Sequence, residues 1–274
     1  RHTGPTLGLT KDSSQSEEIK SDRQISCYRH GMRQVGGDIS VEFATLDFDG
    51  MLEAVTCGTW DTGVLKTGVK RRSFSVLRHF TDQLPADEPF HMYTGCEYNT
   101  FNMSVTPNAI VTADFGLMGQ NLALDGTAPT GASFGDPNGS CPFDGFSGVI
   151  SEGGNVISII TEVSISLDNG LETRPVVSSD LTLRPSIGKS NLTGQITAYF
   201  ENSSLLKKFI DETKSSLSFT LENADGDTYE FTLPHIVYTG GAPDVSGEGS
   251  ITLSMPFQAL YDGAADASLV LTVA

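Results

Sequence analysis

The stretch "GDISVEF" at residues 37–43 returns as "GQITAYF" at residues 194–200, 157 residues further on. Each is a glycine, then polar and apolar residues in alternation, then a phenylalanine. Alternation of this kind sets one side of a strand in a core and the other in water. Ile39, Val41 and Phe43 form one apolar set, and Ile196, Ala198 and Phe200 form the other. The opposite sides carry Asp38, Ser40 and Glu42 in the first strand, and Gln195, Thr197 and Tyr199 in the second.

The likeness extends outward from these strands. The same offset aligns Gly31 with Gly188, Phe48 with Leu205 and Leu52 with Phe209. Phe48, Leu52 and Val55 in "FDGMLEAV" have helical spacing, as do Leu205, Leu206, Phe209 and Ile210 in "SSLLKKFIDETK". Both stretches predict short amphipathic helices. Further along, Phe74 aligns with Phe219, and "YTG" at 93–95 aligns with "YTG" at 238–240, the offset now being 145. Strand, helix, strand and "YTG" in one order indicate two copies of a β-rich unit, each with one helix.

Alternating runs dominate elsewhere: "SFSVLRHF", "TFNMSVT", "AIVTADF", "VISIITEVSISL", "LTL", "SLSFTL", "TYEFTL", "SITLSM" and "SLVLTV". Asn169-Gly170 and Asp225-Gly226 supply turn signals. The chain divides into an N-terminal arm (1–21), a first half (22–124), a long loop (125–148) and a second half (149–274). The arm and the Gly/Pro/Asp/Ser-rich loop show no core of their own, and the loop is too long for a passive connection.

Charge narrows the function. The formal net charge is −17, and there is no Lys or Arg between Arg78 and Arg174. Residues 84–173 carry 11 acids, while residues 1–83 balance 11 acids with 11 bases. A solvated acidic surface is the ordinary reading. Binding to nucleic acid is disfavoured, because affinity for phosphates comes mainly from Lys and Arg. No apolar run approaches 18 residues, so no membrane span is expected. No leader is visible at the start, although residues before Arg1 remain open.

Sequence motifs predict neither a catalytic nor a metal site, and no cofactor. "GASFG" at 131–135 satisfies G-x-S-x-G, but a nucleophile at Ser133 would need a buried strand before it and a helix after it. "DGD" at 225–227 lacks the later ligands of a calcium loop and reads as a hairpin turn. The five histidines are scattered. Cys27, Cys57, Cys96 and Cys141 form no C-x-x-C pair; reduced, mostly buried thiols are expected, with two disulfides as the alternative. Four sequons, at Asn102, Asn138, Asn191 and Asn202, matter only in a secreted chain. A secreted or surface β-sandwich adhesin or carbohydrate binder is therefore the alternative function, although a single Trp offers few stacking platforms for sugars.

"EIKSDRQISCYRHGMRQVGGDISVEF", "FDGMLEAV" and Trp60 together resemble the start of tail tube proteins of tailed phages with long, non-contractile tails. "GVISEGGNVISIITEVSISLDNG", "LRPSIGKSNLTGQITAYFENSSLLKKF", "YEFTLPHIVYTGG" and "SITLSMPFQALYD" fit the same family. The resemblance runs from about Glu17 to the end. It implies a mainly β fold, with β-sandwich or curled-sheet half-domains each flanked by a short α-helix. It implies self-assembly into rings whose inner strands join as one barrel, stacked into a tube that passes DNA without binding it specifically. Two units per chain suggest three chains per ring with pseudo-sixfold symmetry, six chains being the alternative. The other partners would be tail proteins such as the tape measure, terminator and tip. The place would be the virion tail, assembled in the host cytoplasm, with no membrane contact. Asp38, Glu42, Gln195 and Thr197 become the candidates for the lumen.

Overall fold

Alternating sequence becomes strand almost everywhere in the computed structural model, which describes residues 2–22, 24–135, 138–145, 148–245 and 249–273. The chain begins with β1 (His2–Pro5), β2 (Gly8–Gln15), β3 (Tyr28–Glu42), α1 (Asp49–Val55), β4 (Val64–Lys66), β5 (Phe74–His79), β6 (Phe90–Val105), β7 (Thr112–Gly119) and β8 (Asn121–Asp125). After the long loop come β9 (Ile150–Glu152), β10 (Asn155–Val156), β11 (Ile160–Asp168), β12 (Glu172–Arg174) and β13 (Leu183–Ser186). Then follow β14 (Asn191–Tyr199), α2 (Ser204–Ile210), β15 (Ser215–Glu222), β16 (Thr228–Tyr238), β17 (Ala242–Asp244), β18 (Thr252–Leu260) and β19 (Val270–Val273).

Four antiparallel pairings recur in the two parts. They are β3·β7 and β14·β18, β5·β6 and β15·β16, β6·β7 and β16·β18, and β6·β8 and β16·β19. Their registers also agree. Ile39 lies opposite Phe115 as Ile196 lies opposite Met255. Phe74 opposes Cys96 as Ser215 opposes Ile236, and the same slip follows in both ladders. Tyr98 faces Leu117 as Tyr238 faces Phe257, so Tyr98 and Tyr238 are equivalent. That corrects the "YTG" alignment: Tyr93 corresponds to Leu233, and Phe74 to Ser215 rather than Phe219. A tripeptide carries no register of its own, whereas ladder partners do.

The arm is part of this pattern. β1 and β2 pair with β3 as β11 pairs with β14. His2 opposes Val41 and Gly4 opposes Ser40, with a slip between them; Ile160 opposes Ala198 and Glu162 opposes Thr197, with the same slip. The glycine that opens each repeated stretch has one cause. A Cβ on Gly37 would lie 2.7 Å from the Thr6 carbonyl oxygen, and one on Gly194 would lie 2.4 Å from that of Ser164. Only glycine lets the backbones approach this closely.

β11 joins the two parts, pairing with β14 on one edge and β6 on the other. The result is one inner sheet in the order arm, β3, β7, β6, β11, β14, β18, β17. One side of it is apolar and buried: Val41, Phe115, Phe101, Ile165, Ile196 and Met255 are each at most 2% exposed. Above this side lie α1, β5, β8, β15, β19 and the N-terminal parts of β6 and β16. Leu52, Val55, Leu217, Phe219, Tyr229 and Phe231 from this layer complete the core. α2 contributes Leu205, but Ile210 is 68% exposed, so its apolar stripe is only partly inward.

Two expectations change. Residues 125–148 do reach the core through Phe143, whose N–H donates to the Phe43 carbonyl at 2.8 Å and whose carbonyl accepts from Val111 at 2.9 Å. The arm also contributes, since Leu7 is 5% exposed. Asp225-Gly226 does turn β15 into β16, whereas Asn169-Gly170 leads into the β12·β13 hairpin rather than directly into β14.

Candidate assembly surface

The solvent side of the inner sheet follows from strand alternation and register. Across its rows lie Asp38, Gly116 and Thr100; Ser40, Asp114 and Asn102; and Glu42, Thr112 and Ser104. Beyond β6 the rows run on through Asp168, Ser166 and Ser164 on β11. The Ser166 row continues through Thr193 on β14 and Gln258 on β18, and the Ser164 row through Gln195 and Pro256. A further row joins Glu162, Thr197, Ser254 and Ala242 of β17, and Asp244 of β17 lies opposite Thr252. Asp38, Glu42, Gln195 and Thr197, predicted from two distant stretches, thus share one face of one sheet. Sequence reasoning missed the rest of this face. Alternation in "TADF" and "TEVSISLD" was the available signal.

This face is polar and single-signed. Its acids include Asp38, Glu42, Asp114, Glu162, Asp168 and Asp244, and the rows named above hold no Lys, Arg or His. Neutral hydroxyls and amides separate them. Ser40 Oγ donates to Asp114 Oδ1 at 2.5 Å, and Ser166 Oγ donates to Asn102 Oδ1 at 2.7 Å. A Cβ on Gly116 would fall 2.1 Å from Thr100 Oγ1 and 2.9 Å from Asp38 Oδ1, so the row is closely packed there.

Two other acids, Glu97 and Glu152, are buried and held by bases. Glu97 accepts from Arg71 Nε at 2.9 Å and Nη2 at 2.6 Å, and from Arg184 Nε. Glu152 accepts from Lys208 Nζ at 2.5 and 2.7 Å, Ser215 Oγ at 2.5 Å and Tyr238 Oη at 3.2 Å. Burial raises the Tyr238 hydroxyl, and the Glu152 carboxylate beside it raises it further. Burial likewise pushes Tyr98 up to about 12 and the Cys96 thiol up to about 11.

Motifs outside the sheet take simpler roles. Ser133 is exposed in a stretch, residues 126–135, that is neither strand nor helix, so it lacks a strand directly before it. Asn223 Oδ1 accepts from the Asp225 and Asp227 N–H groups, so "DGD" is held as a turn. No cluster of His, Cys, Asp and Glu that could hold a metal ion occurs among the described residues. The four cysteines are unpaired; Cys57 and Cys96 are buried, but Cys27 and Cys141 are exposed, against the expectation of mostly buried thiols. No helix among the described residues is long and apolar enough to cross a membrane.

A family model described as phage tail tube protein matches residues 2–259. No curated protein matches the chain. With that match across nearly the whole length, a mainly β fold and two short helices, the chain belongs to the phage tail tube protein family, structural proteins of the virion tail.

Proposed function

We propose that the chain assembles into rings of three, each chain filling two ring positions, and that the rings stack into the tube that conducts DNA. The observation that carries this reading is the recurrence of the same ladder in both parts of the chain, joined through β11 into one continuous sheet. The acidic face lines the lumen, with Asp38, Glu42, Gln195 and Thr197 on it. Fixed negative charge repels phosphate, and rows without Lys or Arg offer no counterion-release contact to hold the DNA. DNA therefore slides. The chain's role is structural, without catalysis; its other contacts are with tail proteins at the two ends of the tube and within the lumen.

The arm's distal part serves ring-to-ring contact. β2 and residues 28–36 of β3 form a hairpin whose tip exposes Ile19, Ile25 and Tyr28. Apolar side chains in water at a hairpin tip suit a site that another subunit covers.

Electron microscopy of the purified protein tests the reading. Hollow tubes with three chains per ring and the Asp38 face inward are expected. Protein that stays monomeric under all conditions, or tubes whose lumen is lined by the α1 and α2 side, would overturn it. Removing residues 16–27 should leave rings but no long tubes.

A further inference from the structure

We propose that neighbouring chains join by pairing residues 5–10 of one copy antiparallel with residues 240–245 of the next, with Thr6 opposite Asp244 and Gly8 opposite Ala242. This inference rests on the ring reading above and adds the register of the joint. The argument begins inside the chain. β11 occupies in the second part the place that β1 and β2 occupy in the first, with the same partner strand, the same slip and the same glycine contact. Residues 242–244 occupy the place of residues 102–104: Ala242, Pro243 and Asp244 face Ser254, Leu253 and Thr252 as Asn102, Met103 and Ser104 face Asp114, Ala113 and Thr112.

In the first part this second place is not an edge. Ser104, Met103 and Asn102 pair with Ser164, Ile165 and Ser166 of β11. Carrying each residue to its equivalent puts Asp244 opposite Thr6, Pro243 opposite Leu7 and Ala242 opposite Gly8. In the single chain these two segments are the outer edges of the inner sheet. β1 pairs only with β3 and β17 only with β18 among the described residues. A row of open backbone groups is a template for another strand.

Local chemistry agrees with this register. Thr6 N–H donates to the Asp38 carbonyl at 2.9 Å, so strand alternation turns the backbone groups of Leu7 toward the open edge. Pro243 has no N–H to offer Leu7. The Leu7 carbonyl, which would have accepted it, already accepts from Tyr93 Oη at 3.1 Å. The missing donor therefore faces an acceptor that is already satisfied. Pro5, Pro243 and Asp244 are also residues that blunt an edge against indiscriminate pairing. They leave few ladder bonds, so pairing is confined to a partner whose register matches. The contact is head-to-tail, and its rotation decides whether copies close into a ring.

Chain-to-chain cross-linking tests the register. In a background with Cys27→Ser and Cys141→Ser, Thr6→Cys with Asp244→Cys should form intermolecular disulfides on mild oxidation. Thr6→Cys with Ala242→Cys should do so at least about tenfold less, because a two-residue displacement carries the Cβ atoms beyond disulfide reach. Hydrogen–deuterium exchange on the unaltered protein gives a second readout. Peptides covering 5–10 and 240–245 should gain protection together when subunits assemble. Assembled protein in which either segment stays unprotected, or in which the displaced cysteine pair links better, would overturn this register while leaving the ring reading intact. A chain that never forms multimers would overturn both.

Discussion

The repeated stretches end on the same residue type but in different surroundings. Phe43 is fully buried, with ring centroids of Phe48, Phe101, Phe143, Tyr229 and Phe231 between 5.7 and 6.4 Å away. Phe200 is only partly buried, at the point where β14 ends and its N–H donates to the Ile251 carbonyl at 2.9 Å. The ladder beneath the two is the same. The difference comes from what arrives on top: the tail of the long loop brings Phe143, and β16 brings Tyr229 and Phe231, to the first strand and not to the second. A repeat preserves backbone pairing more faithfully than burial.

Truncating the two rings should break their apparent equivalence most visibly. Phe43→Ala should lose about 3–5 kcal/mol in chemical denaturation, as large-to-small changes at packed aromatic sites do. Phe200→Ala should lose less than half of that. Equal losses would mean that the five-ring cluster does not carry the core.

The equivalent tyrosines sharpen the comparison. Burial raises the hydroxyl of both Tyr98 and Tyr238, and only Tyr238 has a carboxylate beside it. A phenol raised in the folded state stabilises it below the unfolded value of 10; that contribution is lost as pH climbs through the folded value, about 12 for Tyr98. The shift at Tyr98 corresponds to about 2–3 kcal/mol. Alkaline unfolding of Tyr98→Phe should therefore be shallower than that of the parent between pH 10 and 12. In Tyr238→Phe the same flattening should come with a loss at neutral pH, because Glu152 loses a hydrogen bond.

Gly37→Ala and Gly194→Ala should each cost about 1–3 kcal/mol by thermal unfolding, the range for forced overpacking. Their similarity is the expected result, since each Cβ would meet the carbonyl of an equivalent residue. Gly37 carries the added strain of φ +141. A neutral Gly194→Ala would show that β11 and β14 can separate where the arm and β3 cannot.

The smallest expected effect on folding is at the polar face. Asp38→Lys with Glu42→Lys should change stability by no more than about 0.5 kcal/mol, as surface substitutions usually do. If that face lines the lumen, the same pair should slow DNA release in an ejection assay, since each cation adds a phosphate contact. Unchanged release would place the face elsewhere.

Much of this was legible in the residues. Period-two alternation gave the strands and the apolar set Ile39, Val41, Phe43, because a pleated strand turns successive side chains to opposite sides. Helical spacing located both helices. The empty stretch of bases between Arg78 and Arg174 pointed to an acidic protein before any face was known. The sequence by itself therefore determined element types, which residues share a side, and the existence of the repeat. Register was decided by tertiary structure. Local similarity aligned Tyr93 with Tyr238, whereas ladder partners align Tyr98 with Tyr238, because bulges shift a strand without leaving a mark in composition. The arm's short polar strands have almost no alternation to read; Leu7 and the close approach at Gly37 become visible only when β3 lies beside them. Six carboxylates drawn from four strands share one face for the same reason. Hydrogen bonding between strands far apart in sequence, rather than any local preference, brings them into one surface.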